Sequence, residues 1–156
     1  MIIRKIKESE INQLESFLYA ALFVPEGEKP FPYDIIYKPE LQVYLKCFGS
    51  EPSDICIVAD FDGELVGAVW GRIMNDYGHI DNDTPSLCIS IKEGLRGQGI
   101  GSKLMKEIAK CYKKMGYKRL SLSCQKANRA VRLYERLGYK VFEDKDDEYI
   151  MVLSLL

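Results

Sequence analysis

The chain has 156 residues and a formal net charge of −1. That length suits one domain able to bury about 70% of its unfolded surface, and the near-neutral balance lacks the basic excess of a nucleic-acid-binding domain. No apolar run approaches the roughly 18–20 residues of a membrane span, so neither nucleic acid nor membrane is an expected partner.

In chain order, 2-IIRKIK-7 predicts a strand with Ile2 and Ile6 on one face. Ser9 suits a helix N-cap, and Ile11, Leu14, Leu18, Ala21 and Leu22 then recur at helical spacing over 10–23. The Pro- and Gly-rich stretch 24-VPEGEKPFPY-33 predicts a loop, and Pro39 opens a second helix over 39–48. Strands follow at 55–61 and 64–74, joined by the hairpin pair Asp62-Gly63. After the polar loop 75-NDYGHIDNDTP-85 come a strand, 86-SLCISI-91, and the glycine cluster 94-GLRGQGIG-101. A long amphipathic helix then carries Ile100, Leu104, Met105, Ile108 and Tyr112, with Gly116 at its end. A strand at 118–124, a helix at 128–137 closed by Gly138, and a terminal hairpin of 139–142 with 149–156 complete the order βααβββαβαββ. The strands at 86–91 and 118–124 are expected to be parallel neighbours.

Five cysteines without a C-x-x-C spacing, most of them in apolar runs, read as buried free thiols in a reducing compartment rather than as disulfides or metal ligands. The N-terminus is too short and too charged for a secretory leader, so a cytoplasmic location is expected. Charges read as mixed along the chain, with 143-EDKDDE-148 a solvated turn.

Gly97, Gly99 and Gly101 stand at alternate positions directly before a helix. The first turn of a helix has unpaired N–H groups and partial positive charge, and glycines leave them open to a ligand; phosphate is the usual occupant. Arg96 and Lys103 add cationic character. The nucleotide P-loop is excluded in practice, because Gly101-Ser102-Lys103 lacks the Gly-Lys-Ser order. The dinucleotide pattern G-x-G-x-x-G fails at Ser102.

What fits is R-x-x-G-x-G over 96–101, followed some 27 residues later by 128-NRAVRLYERLGY-139. With these two segments the sequence resembles the GNAT N-acetyltransferase superfamily, in which [QR]-x-x-G-x-[GA] holds the pyrophosphate of acetyl-CoA. The resemblance covers most of the chain and implies a single α+β domain over 1–156. Its expected fold has three layers, with a mixed, mostly antiparallel sheet, a splayed parallel strand pair and flanking helices. It implies that Ile89, Ser90 and Ile91 line the pantetheine arm. The pyrophosphate is expected on Gly97, Gln98, Gly99, Ile100, Gly101 and Ser102, beside Arg96. Asn128 either caps its helix or bonds the cofactor. Tyr134 matches the tyrosine that protonates the departing thiolate; outside the motif it reads as a packing residue. A phenol keeps its proton at neutral pH, which suits that role.

An alkylamine is mostly protonated near neutral pH, so something must accept its proton. Some protein-acetylating relatives place a glutamate on the strand equivalent to 118–124; this chain has Ser121 and Ser123 there and no carboxylate. His79, the single histidine, Glu26 and bulk water are the alternatives. Phe23, Phe31, Tyr33 and Tyr37 offer apolar walls, and Glu26, Asp34, Asp76, Asp81 and Asp83 negative potential, for a small amine or a peptide amine. The resulting expectation is an acetyl-CoA-dependent N-acetyltransferase, without metal, as monomer or homodimer. A non-catalytic module that senses coenzyme A is the alternative.

Overall fold

A computed structural model describes residues 1–156. The strands are β1 (Ile2–Lys5), β2 (Ile55–Phe61), β3 (Glu64–Arg72), β4 (Ser86–Ile91), β5 (Arg119–Gln125), β6 (Lys140–Asp144) and β7 (Glu148–Ser154). The helices are α1 (Leu14–Ala21), α2 (Pro39–Gln42), α3 (Ile100–Lys114) and α4 (Ala130–Arg136), with 3₁₀ turns at Glu8–Gln13 and Tyr33–Tyr37. One seven-stranded sheet runs β1-β2-β3-β4-β5-β7-β6, antiparallel at every junction except β4–β5. This is the mixed, mostly antiparallel sheet with one parallel pair that the sequence led us to expect. No helix is long and apolar enough to cross a membrane.

Strand periodicity divides the core between the two faces of the sheet. On β2, Ile57 and Ala59 face the side covered by α3 and α4, where Leu104, Ile108, Leu120 and Tyr134 also lie. Cys56 and Val58 face the opposite side, against Leu14, Phe17 and Leu18 of α1, Ile36 and Leu41. Trp70, fully buried on that second side, donates its indole N–H to the Tyr44 carbonyl at 3.1 Å. The β2–β3 hairpin turns through Asp62 and Gly63, both left-handed, as the Asp-Gly pair requires.

Several expectations need correction. Ser9 caps nothing: the first turn starts after Lys7, whose N–H donates to the Glu10 carboxylate at 2.9 Å, and α1 proper begins only at Leu14. Arg4 holds that carboxylate with two bonds of 2.8 Å, so a contact from β1 sets the start. Ile2 does not join a buried face; it is 60% exposed, while Ile3 packs inward. The helix expected over 39–48 shrinks to Pro39–Gln42. Beyond it, Arg72 takes the carbonyls of Val43 and Lys46, and Trp70 takes that of Tyr44, drawing them away from helical partners. All five thiols are free, but Cys47 is exposed.

The charges are not mixed along the chain. Residues 96–136 hold twelve Lys and Arg against two Asp and Glu, a net of +10, and the rest of the chain carries −11. Lys103, Lys106, Lys110, Lys113 and Lys114 of α3, with Arg129, Arg132 and Arg136 around α4, are all exposed. None of these eight forms an ion pair; the pairs are made by Arg4, Arg72, Lys92 and Lys145 and, within the stretch, by Arg119 and Lys126.

Candidate active site

The site begins where β4 leaves β5. Ser86 pairs with Ser121, the one registered pair between these strands, and the Ser121 N–H reaches back to the Pro85 carbonyl at 3.0 Å. Past this point β4 keeps its other neighbour: Ile89, Ser90 and Ile91 pair with Val69, Ala68 and Gly67 of β3. Their edge towards β5 therefore carries backbone groups with no strand partner. Ser90 is buried, and its hydroxyl has no hydrogen-bond partner.

At the outer end of β4 the chain turns into α3. Gly97 (φ +79°) and Gly99 (φ +82°) are left-handed, a conformation that costs other residues about 1–2 kcal/mol. Gln98 between them has negative φ, so handedness alternates, the geometry of an anion-binding nest. Nothing lies within 4 Å of where a Cβ would stand at either glycine. The Lys103 N–H reaches the Gly99 carbonyl at 3.2 Å, which leaves the N–H groups of Ile100, Gly101 and Ser102 without a partner in the helix. Ile100, buried, anchors the turn to the core. Arg96 and Gln98 are exposed, and Arg96 Nε donates to the Ile91 carbonyl at 3.4 Å, closing the loop against β4. An open cradle at a helix start beside an unzipped strand pair fits a diphosphate with an extended amide-bearing arm.

Tyr134 projects from α4 and is 7% exposed, its ring centroid 5.9 Å from that of Tyr139. It shares the α3–α4 side of the core with Cys124 of β5. Burial, with smaller effects of Cys124 and Cys88, pushes the Tyr134 phenol well above the usual phenol range. It stays protonated throughout neutral pH, as a proton donor must. Asn128 Oδ1 accepts the Ala130 N–H at 2.9 Å just before α4, a bond that leaves its amide NH₂ for other use.

The loop 75–85 is pinned over β5. The Ser121 hydroxyl donates to the Gly78 carbonyl at 2.7 Å, and a Cβ on Gly78 would stand 3.0 Å from Leu122 C and Ser123 N. Only glycine lets the loop lie this close to the strand. His79 follows; its N–H donates to the Asp76 carbonyl at 3.3 Å, and its Nδ1 is buried without a partner. Asp76 accepts the Ser86 hydroxyl at 2.7 Å. Burial raises its carboxyl above the usual range, although bonds from Ser86, Tyr44 and Gly78 pull the other way. Asp81 pairs with Arg119 at 2.5 Å. Asp76 and Asp81 are thus committed to local partners rather than free to line an acceptor pocket. Glu26 is exposed at a turn closed by the Glu28 N–H on the Pro25 carbonyl, a different loop from that of His79.

Sequence reasoning missed three features. One is Asp76 as a half-buried, hydrogen-bonded carboxylate, for which its place in a polar loop gave no signal. Another is the pair of thiols, Cys88 and Cys124, that influences Tyr134. The third is the grouping of Glu15 with Tyr33 and Tyr37.

A seven-stranded sheet opened between two parallel strands, with a glycine-built helix start at its mouth, is the architecture the chain presents. The chain belongs to the acetyltransferase (GNAT) family, whose model matches residues 12–139. An uncharacterized N-acetyltransferase of Methanocaldococcus jannaschii is 28% identical over 161 residues, covering 97% of this chain and 90% of that protein. Among solved structures, the PaiA N-acetyltransferase of Thermoplasma acidophilum in complex with coenzyme A superposes with a TM-score of 0.71 at 20% identity, over 98% of each chain. The ribosomal-protein-S18-alanine N-acetyltransferase of Escherichia coli gives 0.68 at 15% identity, over 99% of this chain and 93% of that one. At such identities these likenesses speak for the fold.

Proposed function

We propose that the protein moves the acetyl group of acetyl-CoA to a primary amine, by direct attack while both substrates are bound, with Tyr134 as general acid. The observation that carries this is the coincidence of three features: the left-handed turn at Gly97–Gly99, the unpaired edge of Ile89–Ile91, and the buried, protonated Tyr134. The coenzyme supplies an acyl group activated as a thioester. The N–H groups of Gly97 through Ser102 bind its diphosphate, with Arg96 adding positive charge. The free edge of Ile89, Ser90 and Ile91 binds and orients the amide-bearing arm. A main-chain N–H aimed at the reacting carbonyl is worth about 3–4 kcal/mol to such a reaction. Tyr134 supplies the proton the departing sulfur needs, a contribution of typically 10²–10⁴-fold. Asn128, its Oδ1 held by the Ala130 N–H, offers its amide NH₂ to the same arm. The acceptor is an amine with a cationic and an apolar part, received on the side of α1 and the loops that carry Glu26 and His79. The buried, unpartnered Nδ1 of His79 favours His79 over Glu26 as the group that takes the amine's proton, directly or through water.

The test is release of free coenzyme thiol from acetyl-CoA against a panel of peptides, polyamines and amino sugars. Amine-dependent release is expected for at least one class. Tight coenzyme binding with no release for any amine would instead establish a non-catalytic sensor.

A further inference from the structure

Glu15 and Tyr19, four residues apart, share one flank of α1, turned away from the buried stripe of Leu14, Phe17 and Leu18. Against that flank the 3₁₀ turn Tyr33–Tyr37 brings two phenols to one carboxylate. Tyr37 donates to Glu15 Oε1 at 2.8 Å and Tyr33 to the same oxygen at 3.3 Å, while no side chain donates to Oε2. The Tyr33 and Tyr19 rings lie 4.9 Å apart, tilted by 54°. The Tyr19 hydroxyl bonds the Phe31 carbonyl, which holds that residue alongside. Although fixed in this way, Phe31, Tyr33 and Tyr37 remain 40%, 45% and 59% exposed. Beside them a cavity of about 220 Å³ has Glu15 and Tyr37 on its wall and Ile11, Leu45 and Phe48 as its apolar lining; an exposed Lys46 also borders it.

A carboxylate oxygen left open among exposed phenol faces is a site for a cation. Ring quadrupoles attract an ammonium, the carboxylate supplies the countercharge, and the apolar lining suits its alkyl chain. We infer that this patch holds an alkylammonium group of the acceptor other than the amine that is acetylated. The reacting amine must lose its proton before it attacks. A site made of a carboxylate and aromatic faces stabilises the protonated form and would suppress that attack. The bound cation is therefore the acceptor's second charge. The inference rests on the acetyl-transfer reading above and narrows its substrate class to amines with two cationic groups. The hydrogen bond to Glu15 raises the Tyr37 phenol above its ordinary range.

A linear diamine and a lysine-containing peptide both present this chemistry, and two measurements separate the possibilities. In the first, 1,4-diaminobutane, 1-aminobutane and a short lysine-containing peptide are each titrated into the wild-type chain, and the ring resonances of Tyr33 and Tyr37 are followed. Both rings are expected to shift with the diamine or the peptide and to respond little to the monoamine. Whichever of the two saturates at lower concentration identifies the source. In the second, kcat/KM is compared for the diamine and the monoamine in the wild type and in Glu15→Gln, which still accepts both phenol hydrogen bonds but carries no charge. A preference of about fivefold for the diamine is expected in the wild type and about none in the variant. Unmoved rings and an unchanged preference, with transfer intact, overturn the second site and leave acetyl transfer standing. Shifting rings with no transfer to any amine retain the ammonium site and overturn the acetyl-transfer reading.

Discussion

Ser86 and Ser121 face each other across β4 and β5, and the register between these two strands ends with them. Every other junction in the sheet continues for at least four pairs. A parallel pair abandoned after one step leaves main-chain groups that need partners. The molecule meets that need at its other junctions by strand pairing; under the proposed function, a ligand takes the place of a strand in this gap.

Tyr134→Phe keeps the ring that packs beside Tyr139 and removes only the hydroxyl. Turnover should fall by about 10²–10⁴-fold, while the dissociation constant of coenzyme A changes little. Steady-state kinetics and a direct binding titration on the same preparation check this. Equal losses in both would assign Tyr134 to binding rather than proton transfer.

Gly99→Ala forces an alanine to φ +82°, with no steric clash to blame, because the space around its Cβ is open. Stability should drop by about 1–2 kcal/mol from backbone strain. Coenzyme affinity should drop further, since the new methyl group stands in the cradle. Chemical denaturation and calorimetric titration separate the two effects. An affinity unchanged beyond the stability loss would move the diphosphate away from this turn.

How much of this was legible in the sequence depended on the distance between interacting residues. The Asp62-Gly63 hairpin and α3 were readable because their signals are local: a turn dipeptide, and an apolar stripe from Ile100 to Tyr112. The start of α1 and the length of α2 were not, because Arg4 and Arg72 override local preference from other elements. The glycine turn was readable from its spacing. The Glu15–Tyr37 bond, between residues 22 apart in the chain, had no sequence signature. The basic stretch 96–136 was in plain view, but a net charge of −1 concealed it.

That stretch makes a kinetic prediction. Lys106, Lys110, Lys113 and Lys114 lie along α3 beyond its first turn, and at 1.5 Å per residue Lys114 is roughly 20 Å from the helix start. Lys110, Lys113 and Lys114 are too far for contact with a diphosphate there, yet the field of all four should draw an anionic coenzyme towards it. Reversing these four charges should slow coenzyme association, flatten its dependence on ionic strength and leave kcat unaltered. Stopped-flow binding at several salt concentrations reads the effect. An association rate as steep in salt as the wild type would remove the steering role.

Two carboxyls should shape the acid limb of stability in opposite directions. Glu10 is held down to about 2, chiefly by its Arg4 hydrogen bond and then by the Lys7 N–H. Its folded value lies below its ordinary 4.5, so its contribution is present above that pH and is lost as pH falls towards 2. Asp76 lies above its ordinary 3.8 because it is partly withdrawn from water, so its ionisation costs stability as pH rises past that value. Glu10→Gln should reduce acid sensitivity below about pH 4.5. Asp76→Asn, which can still accept the Ser86 hydroxyl, should gain stability relative to wild type between about pH 4 and 7. Denaturant midpoints across pH 2–7 check both; an Asp76→Asn protein that loses relative stability as pH rises would reverse the assignment.

The most direct measurement is a titration of the labelled protein with coenzyme A, following backbone amide resonances. The amides of Gly97 through Ser102 and of Ile89 through Ile91 should move together and saturate at one concentration. Binding that leaves both segments unmoved, or no binding at all, would contradict the account.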